Sequence, residues 1–184
     1  MDISPHLPAT GSDQPGPPVT LRRAERAFCD QPAIRDILQR AEVGQLGLVD
    51  AAGPYVIPVS YGVTAGENGL TIYLHGAGEG RKIAALEYDP RVCFEVAIRQ
   101  GLGGTEGDVC HLTAYYESAI GFGRGRIVTD PAERRAGLMA VIEHYAPGRG
   151  YEVPDPVPEA VTVLALDLTA WSGKRNLVGV SDSE

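Results

Sequence analysis

LTIYLHGAGEGRKIAALE, residues 70–87, reads as a strand, a glycine turn and the opening of a helix. Leu70, Ile72 and Leu74 alternate with Thr71 and Tyr73, the two-residue period of a half-buried strand. Gly76, Gly78 and Gly80 then free the backbone for turn conformations and for close approach to a ligand. Arg81 and Lys82 follow, where Ile83, Ala84, Leu86 and Glu87 set up a helical face. A helix N-terminus presents unpaired N–H groups and partial positive charge, so it attracts phosphate. Arg81 adds a planar fork and Lys82 a point charge. The stretch predicts a phosphate-anchoring loop. The competing reading is a plain strand-to-helix connection with a solvated cation pair. Two phosphate motifs are excluded. A Walker loop needs Ser or Thr after its lysine, and Ile83 stands there; the dinucleotide fingerprint GxGxxG fails because Gly76, Gly78 and Gly80 fall at every second position. The ligand expected is a mononucleotide-sized phosphate ester.

Around this stretch, 184 residues support one domain with a sizeable core. The net charge of −8 argues against a general nucleic-acid binder, which needs clustered positive charge, and favours a small-molecule ligand. Cys29, Cys93 and Cys110 are an odd set without CxxC spacing, which fits a reducing cytosol better than a disulfide framework. No run is apolar enough for a membrane helix, and the start lacks a signal-peptide profile. We expect a cytoplasmic protein without membrane or nucleic-acid partners. No histidine and cysteine fall at metal-ligand spacing, so no metal site is expected.

Residues 1–20 are rich in proline and read as a flexible arm; residues 21–176 form the domain and 177–184 a loose tail. Asp30 caps a helix over Gln31 to Glu42, with Ile34, Ile37, Leu38 and Ala41 as its apolar stripe. Gln45 to Asp50 is a strand. Pro54 to Val63 is another, with Tyr55, Ile57, Val59, Tyr61 and Val63 on one face. Pro58 cannot donate to a ladder, which implies a sheet edge or bulge and exposed backbone near Val59, Ser60 and Tyr61 where a flat ring could bind. Arg91 to Ile98 is a strand, Arg99 to Val109 a loop, and His111 to Val128 a long strand. In that long strand Gly121, Gly123 and Gly125 strip one face, predicting a bulge, a bend or the close approach of a ligand or second backbone. Asp130 and Pro131 open a helix that buries Leu138, Val141, Ile142 and Tyr145. Val161 to Trp171 is the last strand, with a turn at Ser172 to Arg175. Strands dominate and the helices are too few to cover both faces of a parallel sheet. The class is mainly β: a small antiparallel barrel with peripheral α-helices.

Six motifs in order carry a resemblance: PVSYG at 58–62, YLHGAGEGRK at 73–82, Asp89-Pro90 followed by RVCFEV at 91–96, YESAIGFGRGRI at 116–127, ERRAGLMAVIEHY at 133–145 and WSGK at 171–174. The chain resembles the FMN-binding split-barrel superfamily related to pyridoxamine 5'-phosphate oxidase, and within it the nitroimidazole-resistance, nitroreductase-like family. The likeness spans Arg22 to Lys174. It implies an antiparallel split β-barrel and a homodimer with FMN at the subunit interface. Arg81 and Lys82 match the family's phosphate-binding pair. Val59, Ser60 and Tyr61 match the strand whose backbone meets the isoalloxazine ring. His75, Gly76 and Ala77 match the turn under the ribityl chain, and Ser118 and Trp171 match positions that reach the flavin, in one version from the partner subunit. Glu79 is discordant, since a carboxylate beside phosphate is unfavourable unless it points to solvent or pairs with an arginine.

His75 follows an apolar strand and precedes the anion loop, which puts it at the pocket rim as the candidate catalytic residue. There it could hydrogen-bond a flavin or substrate or transfer a proton. A histidine capping a strand end is the competing reading. For His111 and His144 polar surface or packing is expected, and Cys93 reads as a small buried hydrophobe. The resemblance implies an FMN-dependent oxidoreductase acting on a small organic substrate, nitroimidazoles and nitroaromatics included. Two alternatives stay open: a non-catalytic carrier or sensor binding flavin or haem, for which the glycine-stripped strand speaks, and a reductase using the deazaflavin F420.

Overall fold

Asp30 starts the first helix as its chemistry predicts. In the computed structural model, which describes residues 24–66, 69–104, 107 and 109–177, its carboxylate accepts the Ala33 N–H at 3.0 Å. This helix, α1, spans Gln31–Arg40 and stops short of Glu42 because Ala41 turns extended, with φ −77° and ψ 134°. Ile34, Ile37, Leu38 and Ala41 are buried as the stripe requires. The expected arm at 1–20 and nearly all of the tail at 177–184 lie outside the described residues.

After a two-residue strand β1 (Ala27–Phe28) and α1 come β2 (Gly44–Asp50), β3 (Gly53–Val59), β4 (Gly62–Gly66) and β5 (Gly69–Gly76). Helix α2 (Arg81–Tyr88), strands β6 (Arg91–Gly103) and β7 (Thr113–Ile127), helix α3 (Pro131–Tyr145) and strand β8 (Thr162–Asn176) follow. All pairings are antiparallel, in the order β3-β2-β6-β7-β8-β5-β4, with β1 added alongside β8. The end strands β3 and β4 are consecutive in the chain yet pair with different neighbours, so the sheet curls without closing. This is the antiparallel split barrel, with α-helices at its periphery. Among the described residues no helix is long and apolar enough to cross a membrane.

Four expectations change. Pro54 to Val63 is not one strand: it breaks at Ser60 and Tyr61, where the chain leaves one sheet edge for the other. The break is fixed by Tyr61, whose fully buried hydroxyl donates to the carbonyls of Leu38 at 2.6 Å and Ala41 at 3.0 Å. These carbonyls at the end of α1 have no partner inside the helix. The loop expected from Arg99 is strand as far as Gly103, with Gln100 as the extra residue of a bulge. The turn expected at Ser172 to Arg175 is strand too. Gly173 pairs there with Phe28 of β1 and carries its ring, and Lys174 pairs with Ser118. On α3 the buried residues are Gly137 and Val141, while Tyr145 is 42% exposed.

The glycine-stripped face of β7 is filled by the protein itself. A Cβ on Gly121 would lie 2.8 Å from the Trp171 ring, and one on Gly125 would lie 2.9 Å from Leu86. At Gly123 the Asp167 carbonyl comes too close for any side chain, beside a bulge where Thr169 of β8 is skipped. The close approach is that of a second backbone. The main core lies inside the curl, built on Tyr61, Phe94, Leu46, Ile72, Leu164 and Leu166. A smaller cluster, Tyr73, Val128, Val141, Val163 and Ala165, sits where α3 packs on β5 and β8.

Candidate functional site

β5 ends by pairing His75 with Val163 and Gly76 with Thr162, and the chain then turns so that Arg81 meets Asp50 of β2 and Tyr55 of β3. Gly80 makes the turn possible, with φ +108° and ψ 176°, a conformation that side-chain-bearing residues rarely adopt. It is also the N-cap of α2. Asp30 and Asp130 cap α1 and α3 with their carboxylates, but no side chain caps α2. The first turn of α2 therefore presents backbone N–H groups that no side chain satisfies.

Arg81 and Lys82 stand in that turn in different states. Arg81 Nε donates to Asp50 Oδ2 at 2.6 Å, and the guanidinium carbon lies 4.1 Å from the centre of the Tyr55 ring. Among the described residues its two terminal nitrogens have no hydrogen-bond partner. Asp50 is itself held from behind, since its Oδ1 accepts the Ala52 N–H at 2.8 Å. The Arg81 guanidinium holds the Asp50 carboxyl below the usual carboxylate range, with the Ala52 N–H as a second cause. Lys82 is half-buried. It folds back over Gly76, where a Cβ would sit 3.1 Å from Nζ. No carboxylate pairs with it among the described residues, and burial pushes its ammonium below the ordinary lysine value. A half-buried cation without a counterion, a guanidinium with a free fork and an uncapped helix start converge on one corner. These residue types suit a phosphate group.

The other predicted residues fall in three places. His75, Ala77 and Glu79 are exposed on the loop side, so Glu79 takes the solvent-facing position that removes its conflict with an anion. β3 runs away from the corner as a sheet edge, as Pro58 implied. From Tyr55, under the Arg81 guanidinium, to Val59, where β3 ends, the strand covers about 14 Å at ~3.4 Å per residue. Tyr61 does not offer all that was expected, because its backbone N–H donates to the Tyr145 hydroxyl at 3.2 Å. Ser118 and Trp171 are not brought to the corner within this chain. Through the pairs Leu46–Phe94–Gly121–Trp171, Trp171 stands level with Leu46, four residues along β2 from Asp50, and its ring packs into the core. Its indole Nε1 is buried without a hydrogen-bond partner. Ser118 lies further along still, and its hydroxyl donates to the Lys174 carbonyl at 3.4 Å.

His144 packs, as expected, between the rings of Tyr61 and Tyr145, with Nε2 2.9 Å from the Ala41 carbonyl. Cys93 differs from its expected role: it is half-buried on the outer sheet face opposite Phe122, and burial raises its thiol pKa. Sequence reasoning missed Asp50 and Tyr55. Asp50 precedes a turn and reads as a turn residue, which it also is; its contact with Arg81 spans 31 positions and left no local signal.

The pyridoxamine 5'-phosphate oxidase family model matches residues 30–175, most of the chain. Among curated proteins, none matches in sequence. Among solved structures, a protein proposed to confer 5-nitroimidazole antibiotic resistance in Bacteroides thetaiotaomicron is 28% identical, with 80% of this chain and 85% of that one covered and a TM-score of 0.65. The flavocytochrome Anf3 from Azotobacter vinelandii is 23% identical, covers 89% and 75%, and gives a TM-score of 0.72. The FAD- and haem-binding protein from Mycobacterium smegmatis is 20% identical, covers 86% and 77%, and gives 0.71. The last two likenesses carry the fold. With the matched stretch running from the cap of α1 almost to the end of β8, the chain belongs to the pyridoxamine 5'-phosphate oxidase family.

Proposed function

We propose that this chain binds a flavin phosphate ester, FMN first among them, and uses it as an oxidoreductase on a small organic substrate. The observation that carries this reading is Lys82, a half-buried ammonium that finds no counterion among the described residues, beside an Arg81 fork without a partner among them. In this reading Arg81, Lys82 and the first N–H groups of α2 hold the phosphate. Gly76 and Ala77 lie under the ribityl chain, and the β3 edge at Val59, Ser60 and Tyr61 lines the ring. A flavin supplies hydride and electron transfer when bound, and the protein orients the substrate and tunes the ring. In this reading His75, exposed at the end of β5, donates or accepts a proton at the rim.

The reading includes a homodimer with the cofactor at the subunit interface. In this reading Ser118 and Trp171 reach the ring from the partner subunit. Support comes from the open β3 edge, and from the flavin named for the flavocytochrome and for the FAD- and haem-binding protein. The relative linked to nitroimidazole resistance supports a nitroaromatic acceptor as the first substrate class to assay. The glycine-stripped face of β7, which spoke for a planar cofactor in a non-catalytic binder, is occupied by Trp171 and Leu86.

The absorption spectrum of the purified protein is the first test. Flavin bands, or a thermal shift on adding FMN, are expected. A Soret band or the deazaflavin spectrum would replace FMN by haem or F420, and a colourless protein indifferent to all three would end the reading. The double variant Arg81→Ala/Lys82→Ala should lose cofactor by at least a hundredfold while its far-UV spectrum stays unchanged. Unaltered affinity there would move the anchor elsewhere.

A further inference from the structure

Within the proposed flavin reading, we infer that Asp50 and Tyr55 are positioning residues that hold the Arg81 guanidinium with its two terminal nitrogens turned to the ligand phosphate. Arg81 is 54% exposed at its side chain, and a free arginine there would spread over many rotamers. Two contacts narrow them. Asp50 Oδ2 takes Nε–H at 2.6 Å, which fixes one edge of the guanidinium plane, and the Tyr55 ring lies against one face at 4.1 Å. Asp50 is a firm support, since its side chain is only 16% exposed and Ala52 N–H holds its other oxygen at 2.8 Å. The edge left over is the one with Nη1 and Nη2, the fork that meets a phosphate with two parallel hydrogen bonds. Asp50 and Tyr55 reach this point from β2 and β3, whose turn faces the start of α2.

A simpler role competes with this one. Asp50 is an anion, and by charge alone it would oppose a phosphate and occupy its arginine. The two roles predict effects of opposite sign. If Asp50 positions Arg81, removing it weakens binding of the phosphorylated ligand. If it competes, removing it tightens that binding. Asparagine separates them further, because its amide oxygen still accepts Nε–H but carries no charge.

The test is the affinity of wild type, Asp50→Asn, Asp50→Ala and Tyr55→Leu for FMN and for riboflavin, read by flavin fluorescence, with thermal melts of each apoprotein. Wild type should prefer FMN strongly. Asp50→Ala should lose about tenfold in FMN affinity, Asp50→Asn and Tyr55→Leu less, and riboflavin affinity should stay within twofold throughout. If wild type binds FMN and riboflavin alike, or neither, the phosphate-anchor reading itself fails and this inference with it. If wild type is selective and Asp50→Ala or Asp50→Asn binds FMN as well as or better than wild type, the anchor stands and the positioning role is overturned. Equal losses for FMN and riboflavin would also overturn it, since they mark a general structural defect.

Discussion

At the scale of single residues, Lys82 does what no other cation of the site does: it stays half-buried with no counterion among the described residues. Burial disfavours its charged form, so its pKa lies below the ordinary lysine value of about 10.4. A phosphate arriving beside it restores the proton, and binding therefore depends on pH with a definite sign. FMN affinity should climb as the phosphate takes its second charge near a pH of about 6. It should then hold level, and fall as pH rises through the depressed lysine pKa, earlier than an exposed lysine would allow. Titrating FMN between pH 5 and 10.5 shows this limb. In Lys82→Arg the alkaline fall should disappear, because arginine keeps its charge. A wild-type affinity flat to pH 10.5 would show that Lys82 does not face the anion. The loop carrying Lys82 was legible in sequence because glycines and paired cations are local signals. The partner that decides the state of Arg81 was not, since Asp50 is brought to it only by the fold.

At the scale of elements, the junction between β3 and β4 shows where pattern reading stops. Alternation from Tyr55 to Val63 is regular and gave the right inward face, as Ile57 and Val59 pack on the core and Tyr61 is fully buried. It could not show that the strand is cut, because alternation records faces and not neighbours. The cut is enforced by the Tyr61 hydroxyl on Leu38 and Ala41, a tie between two elements that no window of sequence contains. Tyr61→Phe takes this donor from the Leu38 carbonyl, while the Ala41 carbonyl keeps His144 Nε2 beside it at 2.9 Å, and should cost about 1–3 kcal/mol. The check is denaturant unfolding, with an unchanged midpoint counting against the tie. The β7 glycines teach the same lesson from the other side. Their stripped face was legible, but what fills it, Trp171 and Leu86, comes from β8 and α2. The lengths of β6 and β8 were underread for a related reason. Gly101, Gly103 and Gly173 look like turn residues locally, yet each is paired in the sheet.

At the scale of the molecule, one broad sheet face has no helix over it among the described residues. Its rungs run Gln45–Glu95–Ile120 and Gly47–Cys93–Phe122 across β2, β6 and β7, with Val49 and Val56 exposed beside them. Glu95 is the odd member. It is half-buried among these groups, finds no hydrogen-bond partner among the described residues, and has its carboxyl pKa raised by burial alone. The folded chain thus holds a proton on Glu95 to higher pH than the unfolded chain does. That difference favours the fold below the ordinary glutamate value, and the advantage is lost as pH rises through the raised folded pKa. Glu95→Gln removes the penalty. It should raise thermal stability at pH 8 by about 1 kcal/mol or less, because solvent still screens a half-open site, and the gain should vanish near pH 4. If a second copy covers this face, the carboxylate is desolvated further. Dimer dissociation should then grow from pH 5 to pH 8 in wild type and stay level in Glu95→Gln. Sedimentation equilibrium at both pH values, with melts of each protein, separates the two effects: a stability gain without any change in association would leave this face open to solvent and put the interface on another surface.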